Sequence, residues 1–249
     1  MKIGIVFAYY QRQRQLLNTL ESFRQYNPDD FFVVIVDDNS PDDIVFKEYP
    51  FKIILRKIVN KTWVNPGPAY NIGFKEAIDN GATSIIIQNA ECYHRGNIIK
   101  SVQENINENN YIAFGCYALS AEQDIDFTNF NNRTATHNGD SAWYNHSIYR
   151  PEGLHFCTAI STKNLKKLNG FDERFAFGLA FDDNYFIHQV KVLGLSVKFI
   201  DNPYVLHQYH YDVRSKPYIE AEFQANSNLY SVLKKKHIFR AEHTLTPDL

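Results

Sequence analysis

Short apolar runs rich in β-branched residues alternate along the first half of the chain with segments of helical periodicity. The runs predict strands that begin at Ile3, Phe31, Lys52, Ser84 and Tyr111. Apolar positions recur at helical spacing over residues 13–25 and 69–80, and Gly81 suits the left-handed end of the second helix. This alternation predicts an α/β fold with a mostly parallel central sheet flanked by helices.

The second half of the chain begins with a long interruption of this pattern. Residues 117–150 are polar, contain several aromatic side chains and show little periodicity, which predicts a functional loop. Strands near 155–161 and 196–200, a short helix closed by Gly170 and a helix over 183–193 are predicted after it. A polar helix is predicted over 218–236. We interpret the chain as one domain with a first half at 1–116, a second half at 117–212 and a helical tail at 213–249.

Composition excludes some classes of protein and partner. With 26 basic against 28 acidic residues among 249, the chain has no excess positive charge for binding nucleic acid. No run approaches the roughly 18–20 apolar residues of a membrane helix. The three cysteines, Cys92, Cys116 and Cys157, lack the spacing of a disulfide framework or zinc site. These features predict a soluble, cytoplasmic protein.

Two predicted strands end in carboxylates, where open α/β sheets bind ligands. The strand from Phe31 ends in Asp37 and Asp38, and the strand from Ser84 ends in Gln88, Asn89, Ala90 and Glu91. The aspartates are equally typical of a turn. A single glutamate after a strand is more often a solvated loop residue. The functional alternative is a nucleotide site with Glu91 as a metal ligand.

Two further groups of titratable residues follow the long loop. Asp182 and Asp183 open a predicted helix, where they either complement the helix dipole or present a general base. His207 and His210 follow the last strand and are either structural or metal ligands.

Taken in order, these segments resemble the family 2 type of GT-A glycosyltransferases from Ile3 to about His210. The turn V-D-D-N-S at 36–40 resembles the family's nucleoside-binding turn, and G-F-D-E at 170–173 is a strong match. The resemblance implies a GT-A fold and transfer of a sugar from a nucleotide diphosphate donor to an acceptor hydroxyl, with inversion. It implies a donor site at these residues: Ala8, Tyr9, Asp37, Asp38, Asn71, Gln88 and Asn89.

The same resemblance implies catalytic and metal-binding roles. Asp183 corresponds to the family's general base, and Asp182 is the second candidate for that role. His207 corresponds to the family's metal-binding histidine, and His210 is the second candidate. Glu91 keeps the last carboxylate of the D-x-D motif. One carboxylate and one imidazole predict Mn²⁺, or else Mg²⁺, as the cofactor.

The chain departs from the family pattern at two positions. Tyr70 replaces an arginine, so a cation for the diphosphate is either missing or supplied by Lys61, Lys75 or another basic group. Asn89 replaces the first carboxylate of D-x-D. An inactive relative that binds a nucleotide sugar or glycan, and a nucleotidyltransferase, are the alternative functions.

The acceptor is the least determined part of the site. Trp143, His155 and Asp182 are candidates for contact with the acceptor or the transferred sugar, since aromatic faces stack on sugars. Trp143 could equally be a core residue that holds the long loop. The predicted partners are a nucleotide sugar, with UDP favoured, and a glycan, glycoconjugate or protein acceptor. Peripheral membrane contact through the lysines at 234–236 stays open.

Overall fold

The computed structural model describes residues 1–119, 143–210 and 219–249. The strands are β1 (Ile3–Tyr9), β2 (Phe31–Asp37), β3 (Ile53–Lys57), β4 (Ser84–Gln88), β5 (Cys92–Arg95), β6 (Asn110–Ala118), β7 (Trp143–Asn145), β8 (Cys157–Ser161) and β9 (Ser196–His207). The α-helices are α1 (Gln13–Ser22), α2 (Gly67–Asp79), α3 (Ile98–Asn105), α4 (Thr162–Leu168), α5 (Asp182–Val192) and α6 (Glu220–Leu233).

These strands form one sheet in the order β3-β2-β1-β4-β8-β6-β9-β5, and β7 pairs with β6. The predicted α/β fold is confirmed, with β1, β2, β3 and β4 parallel to one another and β6 parallel to β9. Strand β8 differs from the parallel prediction, because it runs antiparallel between β4 and β6. It starts at the edge where β4 and β6 end, so the chain runs back across the sheet.

Helices cover both faces of the sheet. Leu16 and Leu20 of α1 pack with Ile98 and Val102 of α3 on one face. The other face packs against α2, α4 and α5. Helix α2 approaches closely at Gly73, where an added Cβ would lie 2.5 Å from Cγ1 of Val6. None of the described helices has both the length and the apolar character needed to cross a membrane.

Residues 234–249 form a segment that we call the C-terminal strap. Helix α6 ends at Leu233, earlier than predicted, and the strap then returns to the end of α4 and the G-F-D-E segment. The Ala241 amide donates to the Leu168 carbonyl at 2.7 Å, and the Leu249 amide donates to Asn169 at 2.9 Å. The strap thereby covers the segment that leads into α5.

Other boundaries also differ from the sequence prediction. Strand β5 and helix α3 were not predicted, and the strand predicted over 196–200 continues to His207. Of the predicted loop at 117–150, residues 120–142 lie outside the described residues. The flanking parts are regular, since β6 extends to Ala118 and β7 begins at Trp143.

Candidate active site

One edge of the sheet collects most of the predicted site. Strands β1, β2 and β4 end there, with Tyr9 paired to Asp37, while β8 begins there. His207 is the last residue of β9 and pairs with Cys92, the residue that follows Glu91. The register therefore brings Glu91 and His207 together although 116 positions separate them in the chain.

Glu91, His207 and His210 form a group of potential metal ligands. Their ligand atoms all lie within 4.8 Å of one another. Oε1 of Glu91 is 3.4 Å from Nε2 of His207 and 3.2 Å from Nε2 of His210. One carboxylate and two imidazoles fit a divalent cation, and the two nitrogen donors favour Mn²⁺ over Mg²⁺. The first and second histidine candidates from the sequence thus lie at the same site.

Arg12, which sequence reasoning missed, forms an ion pair with the same carboxylate. Its guanidinium contacts Oε1 of Glu91 from the loop that follows β1. Burial alone would raise the pKa of Glu91, but Arg12, His207 and His210 outweigh it and hold the pKa well below its ordinary value. Glu91 is therefore ionised, and Arg12 and a metal ion would compete for it.

Tyr70 and Asn89, the two departures from the family pattern, contact each other. The Tyr70 hydroxyl donates to the Gln88 carbonyl at 3.0 Å and to Oδ1 of Asn89 at 3.2 Å. Relative to the family pattern, one cation and one carboxylate have both been replaced by neutral groups. The two departures offset each other in charge, which leaves Glu91 as the carboxylate that follows β4.

Asp38 is buried just after the end of β2, between a basic and an aromatic side chain. It accepts from Nζ of Lys61 at 2.6 Å and from Nε1 of Trp63 at 2.9 Å. Burial raises the pKa of Asp38, although both donors oppose the shift. Nζ of Lys61 also lies 5.7 Å from the ring centre of Tyr10, which is 51% exposed. Exposed aromatic faces beside paired charges can accommodate a nucleobase.

Lys61 therefore pairs with Asp38, and Lys75, the other cation considered for the diphosphate, pairs with Asp79 on the exposed side of α2. Arg12, by contrast, forms an ion pair with Glu91. The sequence signal that could have identified it is its position in a basic stretch directly after β1.

Asp182 and Asp183 form the first turn of α5. Phe181, which precedes them, has a φ of 64°. Asp182 is buried and accepts from Nδ2 of Asn65 at 2.8 Å. Burial and the charge of Asp182 raise the pKa of Asp183 to about 7. A carboxylate with such a pKa can accept a proton near neutral pH, which is the property of a general base.

His155 packs beside Tyr70 and Phe171 and is within electrostatic range of both Glu91 and Asp182. Its ring packs edge-on against Tyr70 at 5.2 Å and Phe171 at 5.1 Å. Burial lowers its pKa, and the charges of both Asp182 and Glu91 oppose that shift. Nδ1 of His155 is buried without a hydrogen-bond partner among the described residues. This nitrogen therefore keeps its capacity for a hydrogen bond to a ligand.

Three predicted site residues have internal contacts instead. The Gln88 side chain is fully buried and bonds to His94 and to the Cys92 carbonyl. Asn71 bonds to the backbone of Phe171 at 2.8 and 2.9 Å. Trp143 is buried against other aromatic rings, the packing alternative that the sequence left open. Contact of these three side chains with a ligand stays a prediction.

The remaining donor-site candidates lie at the strand ends. Asp37 accepts from the Ser40 amide at 2.8 Å, and the Tyr9 carbonyl accepts from the Asp38 amide at 2.8 Å. These contacts fix the V-D-D-N-S turn against β1. Ala8 precedes Tyr9 in β1 and packs against the core on the α2 face.

Solved structures with the same fold include a mannosyltransferase and a protein bound to a nucleotide sugar. S. aureus TarS 1-349 in complex with UDP-GlcNAc aligns with 98% of this chain over 68% of its own length, with a TM-score of 0.67 and 15% identity. The mannosyltransferase PcManGT from Pyrobaculum calidifontis, in complex with GDP-Man and Mn²⁺, aligns with 82% of this chain over 56% of its own length, with a TM-score of 0.54 and 13% identity. This chain spans 60% of another TarS 1-349 structure, with a TM-score of 0.59. At these identities the likeness concerns the fold.

Comparison of sequences gives the family. No curated protein sequence is similar enough to count as a match. The family model described as glycosyl transferase family 2 matches residues 4–166, which hold β1 to β8 and the proposed metal ligand Glu91. Because the match covers more than half of the chain, this protein belongs to glycosyl transferase family 2.

Proposed function

We propose that the chain is an inverting glycosyltransferase that moves a sugar from a nucleotide diphosphate donor, UDP in the first instance, to an acceptor hydroxyl. Glu91, His207 and His210 hold Mn²⁺ or Mg²⁺ in this proposal, and Asp183 is the general base. The proposed acceptor is a glycan, a glycoconjugate or a protein, and a cytoplasmic location belongs to the same proposal.

The observation that carries the proposal is the position of His155. Its ring packs against Tyr70, whose hydroxyl bonds to Asn89 just before Glu91, and against Phe171 of the G-F-D-E segment. The charges of both Glu91 and Asp182 also act on its pKa, which supports one space bordered by the metal-ligand group and the aspartate pair. Sugar transfer needs positive charge beside the departing diphosphate and a base beside the attacking hydroxyl. The two sides of His155 offer these two environments.

Each side of the site has a defined task. Asp183, with a pKa of about 7, accepts the proton of the acceptor hydroxyl as that oxygen attacks the anomeric carbon. Attack opposite the leaving diphosphate inverts the anomeric centre. Arg12 supplies a guanidinium that can move from Glu91 to the diphosphate oxygens. A bound divalent cation supplies further stabilisation of the charge that develops on the leaving group.

The donor assignment is supported by the polar and aromatic side chains around Asp38. Its carboxylate can accept from a base N–H, and Tyr10 and Trp63 offer aromatic faces beside it. UDP-GlcNAc and GDP-Man are present in complexes of structural neighbours, so both nucleotides belong in the test.

The first experiment is calorimetric titration of the protein with UDP and then GDP, each with and without Mn²⁺. We expect one nucleotide to bind much more tightly with Mn²⁺, and we expect Glu91→Ala and His207→Ala to abolish that difference. Glu104→Ala is the matched control, because Glu104 is an exposed carboxylate of α3 that pairs with Lys100. If neither nucleotide binds under any of these conditions, the proposed donor site is refuted.

Turnover is tested with the corresponding nucleotide sugars in the presence of candidate acceptors. Release of nucleotide diphosphate, lost in Asp183→Asn while nucleotide affinity is kept, supports transfer with Asp183 as base. Nucleotide binding without turnover of any sugar would instead favour a binding protein, and pyrophosphate release would favour a nucleotidyltransferase.

A further inference from the structure

A group of basic side chains lies where α5 packs against the end of α6, outside the site described so far. His188 and Lys191 belong to α5, whereas Lys234 and His237 follow directly after α6. The imidazole rings of His188 and His237 are 6.5 Å apart. We call these four residues the basic cluster.

The members of the basic cluster repel one another. Burial lowers the pKa of His188, and His237, Lys191 and Lys234 each lower it further. Nε2 of His188 is buried without a hydrogen-bond partner among the described residues. A buried ring nitrogen without a partner and two lysine cations beside it both cost free energy, and an arriving anion would relieve both costs.

Nearby carboxylates do not neutralise these lysines. Within the described parts of the chain, neither Lys191 nor Lys234 forms an ion pair with an acidic side chain. Other surface lysines do, since Lys75 pairs with Asp79 and Lys163 pairs with Glu108. The two lysines of the basic cluster can therefore pair with an external anion without breaking an internal ion pair.

Tyr230 connects the basic cluster to the proposed base. Nζ of Lys234 lies 4.9 Å from the ring centre of Tyr230, and that ring stacks on Phe181 at 5.7 Å. Phe181 directly precedes the aspartate pair, and the charge of Asp183 adds to burial in raising the pKa of Tyr230. His188 follows Asp183 by five helical positions, which is about 7.5 Å along α5 and about 140° around it, so the two side chains do not share one face of the helix. The connection between them runs through Phe181, Tyr230 and Lys234, and an acceptor with a hydroxyl at Asp183 would reach the basic cluster past Tyr230.

We propose that His188, Lys191, Lys234 and His237 form a subsite for a phosphate group of the acceptor, next to the hydroxyl that receives the sugar. The proposal rests on the function proposed above and narrows its acceptor to a phosphorylated polyol or phosphorylated glycan. A lipid headgroup would offer the same phosphate chemistry, and Val232, Ile238 and Phe239 are exposed close by. The experiment below therefore separates the two sources.

The test follows the imidazole resonances of His188 and His237 by NMR during titration with sn-glycerol 3-phosphate, with chloride at equal ionic strength as reference. We expect saturable shifts with the phosphate ester only, and roughly ten-fold weaker binding in Lys191→Gln/Lys234→Gln. Lys191→Arg/Lys234→Arg should restore most of the affinity. Lys75→Gln/Lys163→Gln is the control, since it removes the same charge from paired surface sites. Equal shifts with chloride, or unchanged affinity in the glutamine variant, would overturn the subsite.

The second arm uses vesicles of phosphatidylcholine with and without phosphatidylglycerol. Binding to the anionic vesicles that depends on Lys191 and Lys234, together with no response to glycerol phosphate, would assign the basic cluster to lipid and overturn the acceptor proposal. UDP titration with Mn²⁺ in the same variants keeps the two proposals apart. Normal UDP binding without a phosphate response refutes the subsite alone. A phosphate response without any nucleotide binding refutes the proposed function and the acceptor role with it.

Discussion

Asp183→Asn should make the protein more stable at alkaline pH while it removes turnover. The reason is the raised pKa of Asp183, about 7 in the folded chain against 3.8 ordinarily. Above pH 7 the folded state must hold a half-buried, ionised carboxylate beside Asp182, whereas the unfolded chain ionises it freely. Asparagine has nearly the same shape, stays neutral and keeps an oxygen that can accept from the Asn184 amide.

The size and sign of this effect follow from linkage. A shift of about 3 pKa units corresponds to at most about 4 kcal/mol of lost stability. The Asp183 side chain is partly exposed, and part of the pKa shift comes from the charge of Asp182. We therefore expect a loss of stability of about 1–2 kcal/mol. Because the folded pKa is the higher one, the loss is small near pH 4, grows between about pH 4 and pH 7, and is complete above pH 7.

The assay is thermal unfolding of both proteins from about pH 4.5 to pH 8.5, without nucleotide or metal. For a chain of this length the expected gain in Tm at alkaline pH is about 3–6 °C, and most of it should vanish at the acidic end. Asp79→Asn, on the exposed side of α2, is the control and should show no such trend. A gain that does not depend on pH, or a loss of stability at pH 8, would refute the raised pKa.

Three other perturbations have defined outcomes. Arg12→Gln should tighten Mn²⁺ binding about three- to ten-fold in electron paramagnetic resonance titrations without nucleotide, because Arg12 competes for Glu91; equal or weaker affinity would contradict this competition. Gly73→Ala should lower the free energy of unfolding by about 1–3 kcal/mol in urea, because its Cβ would meet Val6 at 2.5 Å; a neutral result would mean that α2 shifts freely. Glu173→Gln should cost about 2–4 kcal/mol in the same assay, since it weakens the anchor of the C-terminal strap; unchanged stability would show that the strap adds nothing.

The strand ends could be predicted from sequence because each follows a continuous apolar run. Asp37, Glu91 and His207 stand directly at or after such runs, and the fold brings all three to one edge of the sheet. Asp183 stands out at the start of a predicted helix after the G-F-D-E segment, and its role as base stays a proposal that began with the family resemblance. In these cases the local pattern and the order of segments along the chain are enough to predict where the residue lies in the fold.

Other parts of the site depend on contacts between distant residues, which no local pattern records. The ion pair of Arg12 with Glu91 spans 79 positions, and the Tyr70–Asn89 hydrogen bond explains two departures that looked independent in the sequence. Strand β5 escaped prediction because its four residues, Cys92–Arg95, are too few and too polar to show alternation. Pairing of β5 with β9 places Cys92 opposite His207 and so brings Glu91 to the histidine.

The C-terminal strap also has a consequence for biosynthesis. Glu173 accepts hydrogen bonds from the amides of Thr244, Leu245 and Thr246, more than 70 positions later in the chain. Until those residues have left the ribosome, this carboxylate, two positions beyond Phe171, lacks the donors that make its burial tolerable. The sheet can form during translation, but the segment leading into α5 must wait for residues 244–246. A nascent chain stalled before them should therefore hold a formed first half, residues 1–116, beside an unfinished second half.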